Sequence, residues 1–135
     1  MQGLPEYYFM TTNPIKSVLV VDDSRVARML IRNMILSIHP HWILTEVASG
    51  KEAIERADVE TPNYITMDFN MPDMNGIEAS EIILQHAPKT IIALFTANIQ
   101  AHTRAQAEKL GIGFVGKPIT EASIKQALEF FASRS

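Results

Sequence analysis

The stretch Tyr64-Ile65-Thr66-Met67-Asp68, followed by Phe69-Asn70-Met71-Pro72-Asp73-Met74-Asn75-Gly76, decides how this chain is read. An apolar run closes on a carboxylate and gives way at once to turn formers. That pattern places Asp68 at the C-terminal tip of a buried strand, where open α/β sheets put their chemistry. A second apolar run, Val18-Leu19-Val20-Val21, ends the same way on Asp22 and Asp23. If both tips belong to one parallel sheet, three acids converge on one crevice. Such a crevice needs a cation and points to phosphoryl chemistry.

Outward from this stretch, strand-like and helix-like segments alternate. Residues 16–21, 42–47, 64–68, 90–95 and 113–116 read as strands, the fourth a continuous β-branched run of central type. Between them lie helix patterns. The first follows Ser24 as N-cap, with Ala27, Leu30, Ile31, Met34 and Ile38 at helical spacing and Pro40 as the stop. The others cover residues 49–57, 76–86, 98–110 and 120–132, with Ile124, Leu128 and Phe131 as the core stripe of the last. Five strands alternating with five helices predict a doubly wound α/β fold, a parallel sheet covered by helices on both faces. Residues 1–15 have no period and read as a tail, with a Tyr7-Tyr8-Phe9 cluster; the domain proper is expected over 16–135.

The bulk composition bounds the function. With 135 residues, one domain can bury a core unaided. A net charge of −3 argues against a nucleic-acid partner, which calls for a basic surface. The absence of cysteine excludes disulfides and thiolate chemistry. No signal peptide is visible, and no apolar run approaches the ~20 residues that span a bilayer. A cytoplasmic protein with no membrane insertion is expected.

The strand tips carry the candidate site: Asp22 and Asp23 on the first, Asp68 on the third, Thr96 on the fourth, Lys117-Pro118 on the fifth. With strand order 2-1-3-4-5, the switch point falls between the first and third strands and gathers the acids there. Oxygen ligands without His or Cys select a hard divalent ion, Mg²⁺ first and Mn²⁺ second. Asp23 and Asp68 are the direct ligands expected, Asp22 acts through a water, and the Asn70 backbone carbonyl supplies a further oxygen. Taken singly, Asp22-Asp23 reads equally as an acid pair at a helix N-terminus, Lys117 as a surface charge and Thr96 as a strand-end hydroxyl. His39 and His41 flank Pro40 as a metal pair would, but lack a third ligand and read as a solvated turn.

The set Asp22-Asp23, Asp68 within MDFNMPDMNG, Thr96-Ala97 and Lys117-Pro118 closely resembles the receiver domains of two-component response regulators, over residues 16–133. The resemblance implies the flavodoxin-like order 2-1-3-4-5. It also implies that Asp68 accepts a phosphoryl group from a histidine kinase or histidine phosphotransfer protein. Lys117 would neutralise charge on the transferring group and Thr96 would donate its hydroxyl to it. Phe114 would be the switch aromatic, and Pro118 a cis-proline that aims Lys117 inward. The downstream partner would be a protein docking on the face of the fourth helix, fifth strand and fifth helix. Phe130, off the core stripe of the last helix, is a candidate contact there, while Met29 and Leu36 fall off the stripe of the first.

The expected protein is therefore a stand-alone receiver acting through protein contacts rather than an enzyme. A small aspartyl-phosphate phosphohydrolase is the first alternative, but position 70 is Asn, where such enzymes place a second acid. A phosphate-independent pseudo-receiver is the other, and the complete acid, Thr and Lys set speaks against it.

Overall fold

The five apolar runs become the five strands of one sheet. In the computed structural model, which describes residues 14–135, the elements alternate as β1 (Ser17–Val21), α1 (Arg25–Ile38), β2 (Ile43–Val47), α2 (Gly50–Glu60), β3 (Tyr64–Asp68), α3 (Gly76–His86), β4 (Ile91–Thr96), α4 (Ala101–Leu110), β5 (Gly113–Gly116) and α5 (Glu121–Arg134). All strand pairs are parallel, in the order β2-β1-β3-β4-β5. The doubly wound, flavodoxin-like expectation is met. Residues 1–13, including the Tyr7-Tyr8-Phe9 cluster, lie outside the described residues. None of the described helices is long and apolar enough to cross a membrane.

Alternation along each strand divides the core into two layers. Leu19, Val21, Ile65, Met67, Ile92 and Leu94 face α2, α3 and α4, meeting Ala53, Ala57, Ile77, Ala79, Ile83 and Ala107. Val18, Val20, Tyr64, Ala93, Phe95 and Val115 face α1 and α5, meeting Ile31, Ile35, Ile124, Ala127 and Phe131. β3 is buried along its whole length, so it carries Asp68 to its tip as a rigid rod.

Several boundaries and faces differ from the sequence expectation. α4 starts at Ala101 rather than 98, because the Asn98 side chain accepts the Gln100 N–H (3.1 Å) and holds a turn where a helix would begin. α2 runs on to Glu60, with Arg56 and Glu60 paired one turn apart, and stops at Thr61 in a left-handed conformation (φ 42°). On α1 the buried residues are Ile31 and Ile35; Leu30 and Ile38 are exposed, the first to the side of this stripe and the second in the helix's last position. Phe130, expected off the core stripe of α5, is half-buried. Its ring lies where a Cβ on Gly113 would stand (2.8 Å), and the Arg134 guanidinium covers it at 5.0 Å. Gly113 thus makes room on β5 for an aromatic from α5.

The α1 orientation predicts two unlike outcomes. Ile35→Ala should cost ~2–5 kcal/mol, as buried truncations do, and Leu30→Ala should stay within about 0.5 kcal/mol. Urea unfolding of the two variants checks this; the reverse ranking would put the other face of α1 against the sheet.

Candidate functional site

Asp22 is fixed from every side. Its N–H extends the β1–β2 pairing to Val47 O (3.3 Å), and its Oδ1 accepts the Ser24 N–H (2.9 Å). Ser24 in turn caps α1 by accepting the Ala27 N–H (3.2 Å). Asp22 is 1% exposed, whereas Asp23 is exposed at the rim.

Asp68, 3% exposed, projects from the tip of β3 into the same space. The loop beyond it is folded tightly back. Phe69 N–H donates to Phe95 O (2.9 Å) and Gly76 N–H to Phe69 O (2.8 Å). A Cβ at Gly76 would collide with the Asp68 carbonyl and crowd Leu94 and Met67, so only glycine permits this return. Asn75 then caps α3 by accepting the Glu78 N–H (2.9 Å). Asn70 is exposed, two residues past Asp68.

The same loop is tied to α2. The Asp73 carboxylate accepts the first N–H groups of that helix, Gly50 (3.1 Å) and Lys51 (2.9 Å), and the Met74 side chain packs on Gly50. Free helix N–H groups are satisfied and the positive end of the helix meets a negative charge. Those N–H groups hold the Asp73 carboxyl below its usual range.

Lys117 closes the group from β5. Its backbone N–H donates to Thr96 O (2.9 Å), and its Nζ stands 2.9 Å from Asp68 Oδ1 and 3.4 Å from Asp22 Oδ2. The Lys117–Pro118 peptide is cis. Asp22, Asp23 and Asp68 each place a carboxylate oxygen within 4.8 Å of the others. Three carboxylates facing one ammonium leave an excess of negative charge. Burial pushes the Asp68 carboxyl up; the Lys117 hydrogen bond opposes this, and the Asp22 charge adds to it. Burial opposes the Lys117 charge, yet the two carboxylates outweigh it and hold the ammonium above its ordinary value. An all-oxygen donor set with surplus negative charge suits a hard divalent cation, so the residues fit Mg²⁺.

Thr96 is buried at the tip of β4, but its hydroxyl is engaged in its own loop. It accepts the Asn98 N–H (2.9 Å) and lies 3.4 Å from Asn98 O. Phe114 is half-buried on the α4 side of the sheet, with the Arg104 guanidinium 4.5 Å over its ring. It pairs in register with Leu94, while Thr96 pairs with Gly116, which leaves no side chain on β5 opposite the hydroxyl. The structure thus brings the three acids and Lys117 into one cluster, with Thr96 on the adjoining tip and Phe114 further down the strand. His39 stacks on Trp42 (3.8 Å) at the far end of the chain's first helix, and the described residues give it no metal site. Sequence reading missed Asp73, Arg28 and Arg104; none stands in a pattern that names its partner.

The sequence model of the family described as response regulator receiver domain matches residues 18–129. The chemotaxis protein CheY of Thermotoga maritima is 33% identical over 114 residues, 84% of this chain and 94% of that protein. A protein-glutamate methylesterase/protein-glutamine glutaminase of Carboxydothermus hydrogenoformans is 36% identical over 110 residues, 80% of this chain but only 31% of that relative. The chain therefore spans under a third of that methylesterase's length. Among solved structures, the response regulator domain of Thermotoga maritima CheB superposes with a TM-score of 0.72 at 31% identity, covering 89% of this chain and 93% of that one.

Two carboxyls displaced in opposite directions predict opposite pH behaviour. A raised folded pKa, as at Asp68, means that the charged form opposes folding. The penalty is full above the folded pKa and vanishes below the ordinary carboxyl range. In EDTA, Asp68→Asn should therefore exceed wild type in stability at neutral pH and lose that lead on acidification. Asp73, with its pKa lowered, contributes stability above the ordinary carboxyl range and loses it as pH falls through the folded value. Asp73→Ala should be less stable than wild type near neutrality and converge with it in acid. Denaturant midpoints across a pH series check both signs; a lead of Asp68→Asn that grows with acid, or a deficit of Asp73→Ala that does, contradicts the assignment.

Proposed function

The chain belongs to the response regulator receiver domain family, and from that premise we propose that Asp68 is its phosphoacceptor, charged by a histidine kinase or histidine phosphotransfer protein. The observation that carries the reading is the buried Asp68 carboxylate held 2.9 Å from Lys117 Nζ with Asp22 and Asp23 beside it. A carboxylate is a competent nucleophile in aspartyl-phosphate chemistry. Its oxygen bonds to phosphorus as the donor's phosphorus–nitrogen bond breaks, and the leaving imidazole keeps the electron pair.

Receiver domains bind Mg²⁺ through an acidic pocket, and Asp22, Asp23 and Asp68 form such a cluster here. Asp23 and Asp68, with the Asn70 carbonyl, would hold the ion directly and Asp22 through a water; when bound, it supplies positive charge facing the phosphoryl oxygens. Lys117 contributes the fixed charge of the site. Its ammonium, already shared between Asp68 and Asp22, turns to a phosphoryl oxygen once Asp68 carries the acyl phosphate. Thr96 must exchange its Asn98 partner for that phosphoryl group, which moves the β4–α4 loop inward. Phe114 would follow as the switch aromatic, a shift between two packings selected by contacts available in only one.

Residues 16–135 form the receiver in this reading and 1–15 its tail. The phosphorylated form would signal by protein contacts on the face of α4, β5 and α5. Asn70 leaves a phosphohydrolase without its general acid, and the intact Asp–Lys–Thr set leaves the pseudo-receiver without a motive.

Incubation with Mg²⁺ and acetyl phosphate should give a single labile phosphoryl adduct by intact-mass spectrometry, absent in Asp68→Asn and in EDTA. Retention of the adduct in Asp68→Asn overturns the assignment. Sustained turnover of small phosphate esters would favour the hydrolase instead.

A further inference from the structure

We infer that Arg28 is a positioning residue for the metal-binding acids: it locks the peptide unit that joins Asp22 to Asp23. The inference rests on the reading of those acids as Mg²⁺ ligands. Arg28 lies on the flank of α1, with its side chain only 15% exposed. Its Nη1 donates to the Asp22 carbonyl oxygen at 2.8 Å, and its Nε donates to Glu46 Oε1 at 3.1 Å. Arg32 holds the other Glu46 oxygen at 3.8 Å. A carboxylate on β2 and a carbonyl at the tip of β1 are thus spanned by one planar fork, which a flexible ammonium cannot reproduce.

The carbonyl that Arg28 grips belongs to a planar unit whose other end is the Asp23 nitrogen. The side chain of Asp22 has its own anchors in Ser24 and Lys117. The Asp23 carboxylate is exposed and accepts no hydrogen bond from the described residues. Its placement therefore follows from the backbone, which two contacts bracket: the Asp22 carboxylate on the Ser24 N–H, and Arg28 on the Asp22 carbonyl, the one contact that reaches it from α1. Outer contacts of this kind fix ligand orientation in metal sites.

The opposing account makes Arg28 half of an ordinary ion pair with Glu46. The two accounts differ in sign at the metal. A guanidinium beside the acids repels a divalent cation, so if charge were all that mattered, its removal would tighten Mg²⁺ binding. If Arg28 positions the ligands, its removal loosens binding despite the repulsion relieved.

Calorimetric titration of the full chain with Mg²⁺ alone separates them. Arg28→Ala should weaken Mg²⁺ affinity by about tenfold or more. Arg28→Lys, which keeps the charge and loses the fork, should weaken it in the same direction by less, and it carries the test if Arg28→Ala does not fold. Affinity equal to or tighter than wild type in a folded Arg28→Ala or Arg28→Lys overturns the inference, whatever the melting temperature does. Failure of wild type itself to bind Mg²⁺ overturns the metal reading beneath it, and shows without any variant.

Discussion

Everything at the top of this sheet answers to one electrostatic constraint: three carboxylates share a few ångströms with a single ammonium. Asp22 and Asp68 are buried, and like charges at such range repel strongly unless something fixes and offsets them. Lys117 offsets part, reaching both from β5. The remainder is borne by rigidity: β3 buried end to end, a loop that returns through Gly76, Asp73 clamped on α2, and Arg28 clamped on the Asp22 carbonyl. The fold holds a surplus of negative charge that a divalent cation would offset.

The strands and acids were legible because both are local signals. An apolar, β-branched run that ends on a carboxylate and a turn former states its own position, and five such runs leave few topologies. The clamps were not legible. Asp73 and Arg28 act on backbone atoms of other segments, 22–23 residues away in the first case and across a helix turn in the second, and a backbone carbonyl or N–H has no sequence signature. The same blindness set α4 three residues early, since the competing partner for its first turn is the Asn98 side chain. Nor was the partial burial of Phe130 legible, since its pocket depends on residue 113 of a neighbouring strand being glycine.

Thr96 and Phe114 define the conformation in which the protein stands. The Thr96 hydroxyl is turned to Asn98 and the Phe114 ring lies under Arg104. Opposite Thr96, Gly116 presents no side chain, so the tip of β4 has room to change partner without displacing a packed residue from β5. In the proposed reading these contacts belong to the unphosphorylated state. The cation–π contact of Arg104 with Phe114 is one that must loosen for the ring to move, a modest cost of about 0.5–1 kcal/mol at an exposed site. In that reading, a phosphoryl group on Asp68 would tip the balance through contacts it makes in only one of the two packings.

The central claim is that the Asp68 carboxylate itself bonds to phosphorus. Borohydride reduction of the acetyl phosphate-treated chain converts an acyl phosphate to the alcohol, so it writes the acceptor's position into the sequence. Peptide mass spectrometry should then find homoserine in place of Asp68 and unmodified aspartate at Asp22 and Asp23. Homoserine at either of those two positions, or none anywhere, would contradict the account.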